Sequence, residues 1–365
     1  MIFQIPHYRE PDFNQQFLKD APNVHWEKVT EDGVAPKNYH ALSIYPEYFK
    51  VNGQWILATK SRMDTVCVIN DEIGKESVKI VEFRNLKIGD KVVIGREEDG
   101  SCGIYVYDKG FITKETEEET FAFRQGRSRE TAFSIDYDQL YEILRHEKEN
   151  NGHVTWVLGS ALAFDEDARR ALEKIIEEDI VDCIICGNAL ATFDLEKAIF
   201  GSTWGQQVFS REYAQTKNYM RTVNMVREAG SMEAFIQKYR INSGFVYLCH
   251  RKKIPLIIGG TIRDRFTLPD TYDNVYEAQD AMRAHTSKST AIIMVASVLF
   301  SIATGNMTPS YNEFDGKIRP VYIYTVDIQE FAVNKLADRG SLSAKSIVTN
   351  AQDFMKNIAR AMDRK

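Results

Sequence analysis

Cysteine is scarce, and its spacing is irregular. The 365 residues hold five, at 67, 102, 183, 186 and 249. An odd, scattered set excludes a secreted disulfide framework, and the compartment expected is the cytoplasm. Cys183 and Cys186 do form a C-x-x-C, but within the apolar run "IVDCIICGNA". A strand sends residues three apart to opposite faces, so packed core thiols are expected there rather than a redox or metal pair. The seven histidines make no H-x-x-x-H or similar pair, which gives no reason to expect a zinc centre.

Long apolar runs are also lacking. The longest uncharged stretch is Ser289 to Asn312, and its apolar part, Ala291 to Ala303, is interrupted by Ser297 and Ser301. A membrane span needs about 18 or more consecutive apolar residues, so this stretch reads as a buried strand followed by the start of a helix. The opening "MIFQIPHYREPDF" has no basic segment leading into an apolar one, and no signal peptide is expected. Positive charge is not concentrated anywhere: 46 basic residues face 52 acidic ones, for a net charge of -6. Neither nucleic acid nor an anionic membrane is an expected partner. Finally, no G-x-G-x-x-G follows any predicted strand, so the usual dinucleotide fingerprint is missing.

What is present changes texture along the chain. Up to about residue 110 short strand signals dominate. "HALSIYPEYFKVNGQWILATK" holds two β-rich runs around Asn52-Gly53, a hairpin signal, and further turns are expected at Gly89-Asp90 and Asp99-Gly100. The charged stretch "TKETEEET" (113–120) reads as a solvated connection. From about 135 onward, helices alternate with short apolar strands. Asp136 is the expected start of one helix and Asn151-Gly152 its stop, and Gly340 is the expected end of another. Such alternation predicts an α/β fold, with a Rossmann-like parallel sheet domain preceded by a smaller β-rich domain; we divide the chain at 1–115 and 116–365.

In parallel sheets ligands bind at the carboxyl ends of the strands. The ends here read Gly159-Ser160, Gly187-Asn188-Ala189, Gly259-Gly260-Thr261, Ser297 and Asp327. Small residues let backbone N–H groups approach a phosphate, and a following helix adds its dipole. An acid such as Asp327 can accept from a ribose diol. Tight turns without any ligand explain these residues equally well, so both readings stay open at this level.

Eight motifs run in order through the second domain: "GNALATFDLEKAIFG", "MRTVNMVREAGSM", "SGFVYLC", "IPLIIGGTIRDRFTLPD", "VYEAQDAMRAH", "SIATGNMTPS", "VDIQEFAVNKLADRGS" and "IVTNAQDF". With "SIYPEYFKVNGQWILATKSRMDTVCVIN" upstream, they resemble the archaeal-type ornithine cyclodeaminase family over about residues 38–355. The resemblance implies a β domain of the lysine-ketoglutarate reductase/saccharopine dehydrogenase type and a deoxyhypusine-synthase-like Rossmann domain holding NAD. It implies an amino-acid substrate and a homo-oligomer. Carried over by position, Asn188, Ala189, Arg265, Ser297, Val298, Leu299 and Phe300 line the cofactor; Asp327 takes the ribose, and Asn350 with Ala351 closes the site. Arg62 is the candidate carboxylate clamp, because guanidinium pairs bidentately with carboxylates. Asp64 would receive the amine, and Asp264 would lie within the cleft.

The chain also departs from the family pattern. Where relatives usually read I-R-D-D-G it reads Ile262-Arg263-Asp264-Arg265-Phe266. Tyr219 and Phe300 stand where histidine is usual, Leu248 where glutamate is, and "LAFDED" (162–167) replaces V-V-H-T-G-G. The expected activity is an NAD-dependent cyclodeaminase acting on ornithine or a related amino acid. Amine dehydrogenation or aminoalkyl transfer in an altered pocket is an alternative, as is a non-catalytic NAD-binding protein.

Overall fold

The computed structural model describes residues 4–62, 64–112, 134–201, 217–264, 266–329 and 341–362, with the side chains of 134–136 and 217 not among them. Six short apolar runs form one parallel sheet: β1 Val154–Leu158, β2 Cys183–Gly187, β3 Leu256–Gly259, β4 Ala291–Val295, β5 Tyr322–Asp327 and β6 Ala344–Val348. Their spatial order is β3-β2-β1-β4-β5-β6. Every residue of β1 and β4, the central pair, is buried, which is why these strands read as unbroken apolar runs rather than alternating ones. The order reverses between β1 and β4, and that is where a sheet of this topology leaves a crevice at its carboxyl edge.

Helices cover both faces. One core unites Trp156, Leu158, Ile184, Cys186 and Tyr324 with the helices at 134–149, 166–177 and 351–362 and with α1 (Asn188–Phe200) and α2 (Lys217–Ala229). The other unites Val157, Cys183, Ile292 and Met294 with α3 (Val275–Thr286) and α4 (Val298–Met307). Cys183 and Cys186 therefore pack on opposite faces, as the strand period requires. Burial raises both thiols, Cys183 to about 12, so both stay protonated at neutral pH.

The predicted strand-then-helix over 289–312 is present as β4 and α4. The helix expected from Asp136 starts at Ser134 instead and runs to Glu149; Asn151 then ends it in the left-handed conformation (φ 53°). The connection at 113–120, the boundary at 115/116 and Gly340 lie outside the described residues.

The amino-terminal part is antiparallel throughout. A four-stranded sheet (25–28, 91–94, 66–70, 77–81) faces a three-stranded one (54–57, 47–51, 104–106) across a core of Val24, Phe49, Cys67, Val93 and Ile104. Asn52 and Gly53 both take positive φ (48° and 82°), the pairing a two-residue hairpin turn demands. The segment 310–320 is an antiparallel hairpin docked on this β-rich part. Its Tyr311 is fully buried and donates to the Ala58 carbonyl at 2.6 Å. Among the described residues no helix is long and apolar enough to cross a membrane.

Candidate functional site

Several helix starts are capped by side chains: Asp165 accepts from Ala168 N–H, Ser231 from Ala234 N–H, and Asn274 from Tyr276 and Glu277 N–H. The three that begin at the ends of β1, β2 and β4 follow Gly159, Gly187 and Ser297, and none has a side-chain cap. A first turn with no internal partner leaves N–H groups directed at the crevice, and its dipole favours negative charge there. Gly159 also brings β1 against β4: it donates to Val295 O at 2.8 Å, and a Cβ at 159 would overlap the Ala296 carbonyl. Ala296 itself is left-handed (φ 53°), which sharpens the chain's exit from β4 into Ser297. Together these features form a cradle suited to a pyrophosphate at the topological switch.

Ser297 and Phe300 are half-buried, whereas Val298 and Leu299 are exposed on the rim. Phe300 lies over the paired Gly187 and Gly259; a Cβ on Gly187 would meet its ring at 3.1 Å and one on Gly259 at 2.7 Å. The glycines make room for this ring, so it closes the crevice on the β2–β3 side. Ala189, half-buried, follows at the start of α1. At the end of β5, Asp327 accepts from Gln329 N–H at 2.9 Å through Oδ1 and is partly exposed, a placement compatible with a ribose diol.

Three expected site residues have other occupations. Asn188 is fully buried, and its carboxamide is engaged within the protein: Nδ2 donates to Tyr219 Oη at 3.1 Å, and Oδ1 accepts from Leu268 N–H at 2.8 Å. Any cofactor contact by Asn188 is thus left to its backbone. Asn350 caps the last helix, accepting from Gln352 N–H at 2.8 Å and Asp353 N–H at 3.4 Å, and Ala351 is buried beneath that turn. Asp264 accepts from Thr261 N–H at 2.8 Å and Thr261 Oγ1 at 3.2 Å, closing the turn after Gly259-Gly260 while remaining half-buried beside the crevice. Arg265 lies outside the described residues.

Arg62 and Asp64 lie apart from these strand ends. Ser61 accepts from Ser310 N–H just beyond the end of α4, at the amino edge of the sheet, so this segment lies at the edge opposite the crevice. The carboxylate that Arg62 meets is Glu82, at 2.8 Å. Arg283 of α3 grips the same carboxylate at 2.8 and 2.6 Å, and Arg84 joins it while also pairing with Asp280 at 2.8 Å. Burial pushes the Glu82 carboxyl up, but the surrounding guanidiniums outweigh it and hold the group below its ordinary value. The cluster clamps the β-rich part to α3. Asp64 is exposed in a left-handed conformation (φ 61°).

Sequence reasoning missed Glu196, which is buried on α1 with Oε2 unpartnered and is pushed up by burial to about 7. Glutamate on a helix gives no signal of this; only its facing toward α2 does. Cys249 is a packed thiol raised by burial, and His285 stacks on His153 at 5.5 Å.

The comparisons agree with the geometry. Residues 138–358 match the family described as arginine dihydrolase ArgZ-like, C-terminal, Rossmann fold, and residues 46–131 match its first region. The bifunctional arginine dihydrolase/ornithine cyclodeaminase AgrE of Nostoc sp. is 29% identical over 95% of this chain and 48% of its own length. A solved ternary complex of AgrE with ornithine and NAD+ superposes with a TM-score of 0.57 at 28% identity, over 94% of this chain and 46% of that one. The ornithine cyclodeaminase of Archaeoglobus fulgidus is 30% identical over 95% of this chain and 79% of that protein. The crystal structure of a conserved putative LOR/SDH protein from Methanococcus maripaludis S2 superposes with a TM-score of 0.80 at 27% identity, covering 94% of this chain and 99% of that one. The chain spans about half the length of the bifunctional cyanobacterial relatives it matches. With its Rossmann region and its full-length archaeal relatives both matched over most of their extent, the chain belongs to the archaeal-type ornithine cyclodeaminase family.

Proposed function

We propose that the protein is an NAD-dependent ammonia-lyase of the ornithine cyclodeaminase type, acting on ornithine or a related amino acid. The observation that carries this reading is the convergence of three uncapped helix starts, after Gly159, Gly187 and Ser297, at the β1–β4 switch. The residues present fit the cofactor: backbone N–H groups after Gly187 and Ser297 suit its pyrophosphate, and Asp327 suits a ribose diol and disfavours a 2′-phosphate. When bound, NAD supplies the reversible oxidation at Cα that lets the δ-amine displace ammonia and close the ring to proline with no net redox change. The chain's own part is to hold and exclude. Phe300 shuts out water on the β2–β3 side, and Asp264 presents a carboxylate to the amine end of the substrate.

A second reading, a different amine oxidised through the same imine, is favoured by Phe300 and Tyr219, which stand where the resemblance expects histidine. An NAD-binding protein without catalysis is the third. Proline formation, a cytoplasmic location and the division at 115/116 belong to the first reading. So does a homo-oligomer, supported by the exposed apolar residues Ile262, Val298, Leu299 and Ile328 around the crevice.

The test is to release and identify nucleotide from the purified protein, then add ornithine and follow ammonia and proline. NAD together with both products supports the reading. NAD without response to ornithine moves the case to the second. No NAD, even when supplied, ends it.

A further inference from the structure

The segment from Gly260 to Tyr272 hangs from the end of β3 and carries Asp264, yet it has little regular structure of its own. Its tip is open, with Ile262 and Arg263 exposed, while its base is fixed from two sides. On the outer side Arg227 of α2 donates to Thr267 O at 3.0 Å and sits 4.4 Å from the Phe266 ring centroid, and Asp270 accepts from Met232 N–H at 2.7 Å. On the inner side one side chain does the fixing. Asn188 donates to Phe266 O at 3.5 Å and accepts from Leu268 N–H at 2.8 Å and from Thr271 Oγ1 at 3.3 Å.

Asn188 is itself held. It donates to Tyr219 Oη at 3.1 Å, and its backbone carbonyl accepts from Thr192 Oγ1 at 2.9 Å.

We propose that the Asn188 side chain is a positioning residue: it locks the base of the 260–272 loop so that Asp264 is presented at the carboxyl edge of the sheet, with Tyr219 completing the lock. Asn188 faces the loop with its carboxamide and the crevice with its backbone. The effect on turnover rests on the function proposed above; the anchoring does not.

Trypsin tests the anchoring directly, because Arg263 lies exposed in the loop. Asn188→Ala is expected to speed cleavage after Arg263 by about tenfold or more over wild type, since several hydrogen bonds to the loop base are removed at once. Thr271→Val should give a smaller increase and add little in the double variant, and Tyr219→Phe should loosen the loop without touching it; these two serve if Asn188→Ala does not fold. NAD affinity is expected to stay within about twofold, while the KM for ornithine rises about tenfold, a split that general destabilisation would not produce. Unchanged cleavage in all three variants would overturn the proposal. So would a large loss of NAD affinity with cleavage unchanged, which would make Asn188 a direct cofactor ligand. If the wild type turns over no ornithine the proposed function fails, and the cleavage pattern still decides the anchoring.

Discussion

Gly259→Ala isolates the role of Phe300. Gly259 is not left-handed, so alanine meets no backbone penalty there, and the whole effect is steric. The new methyl would lie 2.7 Å from Phe300 Cε1 and 3.1 Å from Cζ. Carbon atoms rest at about 3.5–4.0 Å, so the ring has to retreat by about 1 Å. The paired Gly187 blocks a sideways slide, since it underlies the other edge of the same ring. The ring must lift, and it lifts the first turn of α4 with it. Overpacking of this kind costs about 1–3 kcal/mol. Phe300→Ala loses packing of its own but removes the obstacle, so Gly259→Ala should become nearly harmless in that background. Urea unfolding of the four proteins gives the coupling, expected at about 1–2 kcal/mol. Additivity to within about 0.5 kcal/mol would refute the placement of the ring over the two glycines.

Gly159→Ala should behave differently, because its methyl meets the Ala296 carbonyl, a backbone group no side-chain change can remove. We expect a loss of about 2–4 kcal/mol in urea unfolding and a marked fall in NAD affinity by titration. Asn350→Ala should cost about 1 kcal/mol as a lost helix cap and leave NAD affinity unchanged, which calorimetric titration would check. Glu196 sets a pH dependence. Burial holds its carboxyl at about 7 in the folded protein, above its value in an unfolded chain, so its contribution to stability is complete in acid and is lost as pH rises through about 7. The thermal midpoint of the wild type should fall between about pH 4.5 and 7 and level off above that, and that of Glu196→Gln should fall less.

The sheet was legible because its signal is local. Val154–Leu158 and Ala291–Val295 are apolar at every position, and a strand buried on both faces needs nothing else. Their glycine and serine ends were legible for the same reason. The residues that shape the crevice were not, since their partners are distant in sequence: Asn188 meets Leu268 and Thr271, and Phe300 meets Gly187 and Gly259. Asn188 was visible as a motif residue, but whether its carboxamide faced a ligand or a loop depended on where the chain 80 residues on would return.

Arg62 shows the same limit more sharply. An arginine beside a hairpin is equally suited to a substrate carboxylate and to an internal one, and residue type cannot separate them. The structure separates them by edge: Glu82, Arg84 and Arg283 gather Arg62 where α3 ends and β4 begins, while the uncapped helix starts gather at the other end of the same strands. Capping offers a sharper guide than motif resemblance here. A helix whose first turn is met in part by Asp165, Ser231, Asn274 or Asn350 has fewer donors left for an anion than one that follows Gly187 or Ser297. Combined with their place at the carboxyl edge of the sheet, that criterion favours the ends of β1, β2 and β4 for an anion and leaves β6 and Asn350 on the margin.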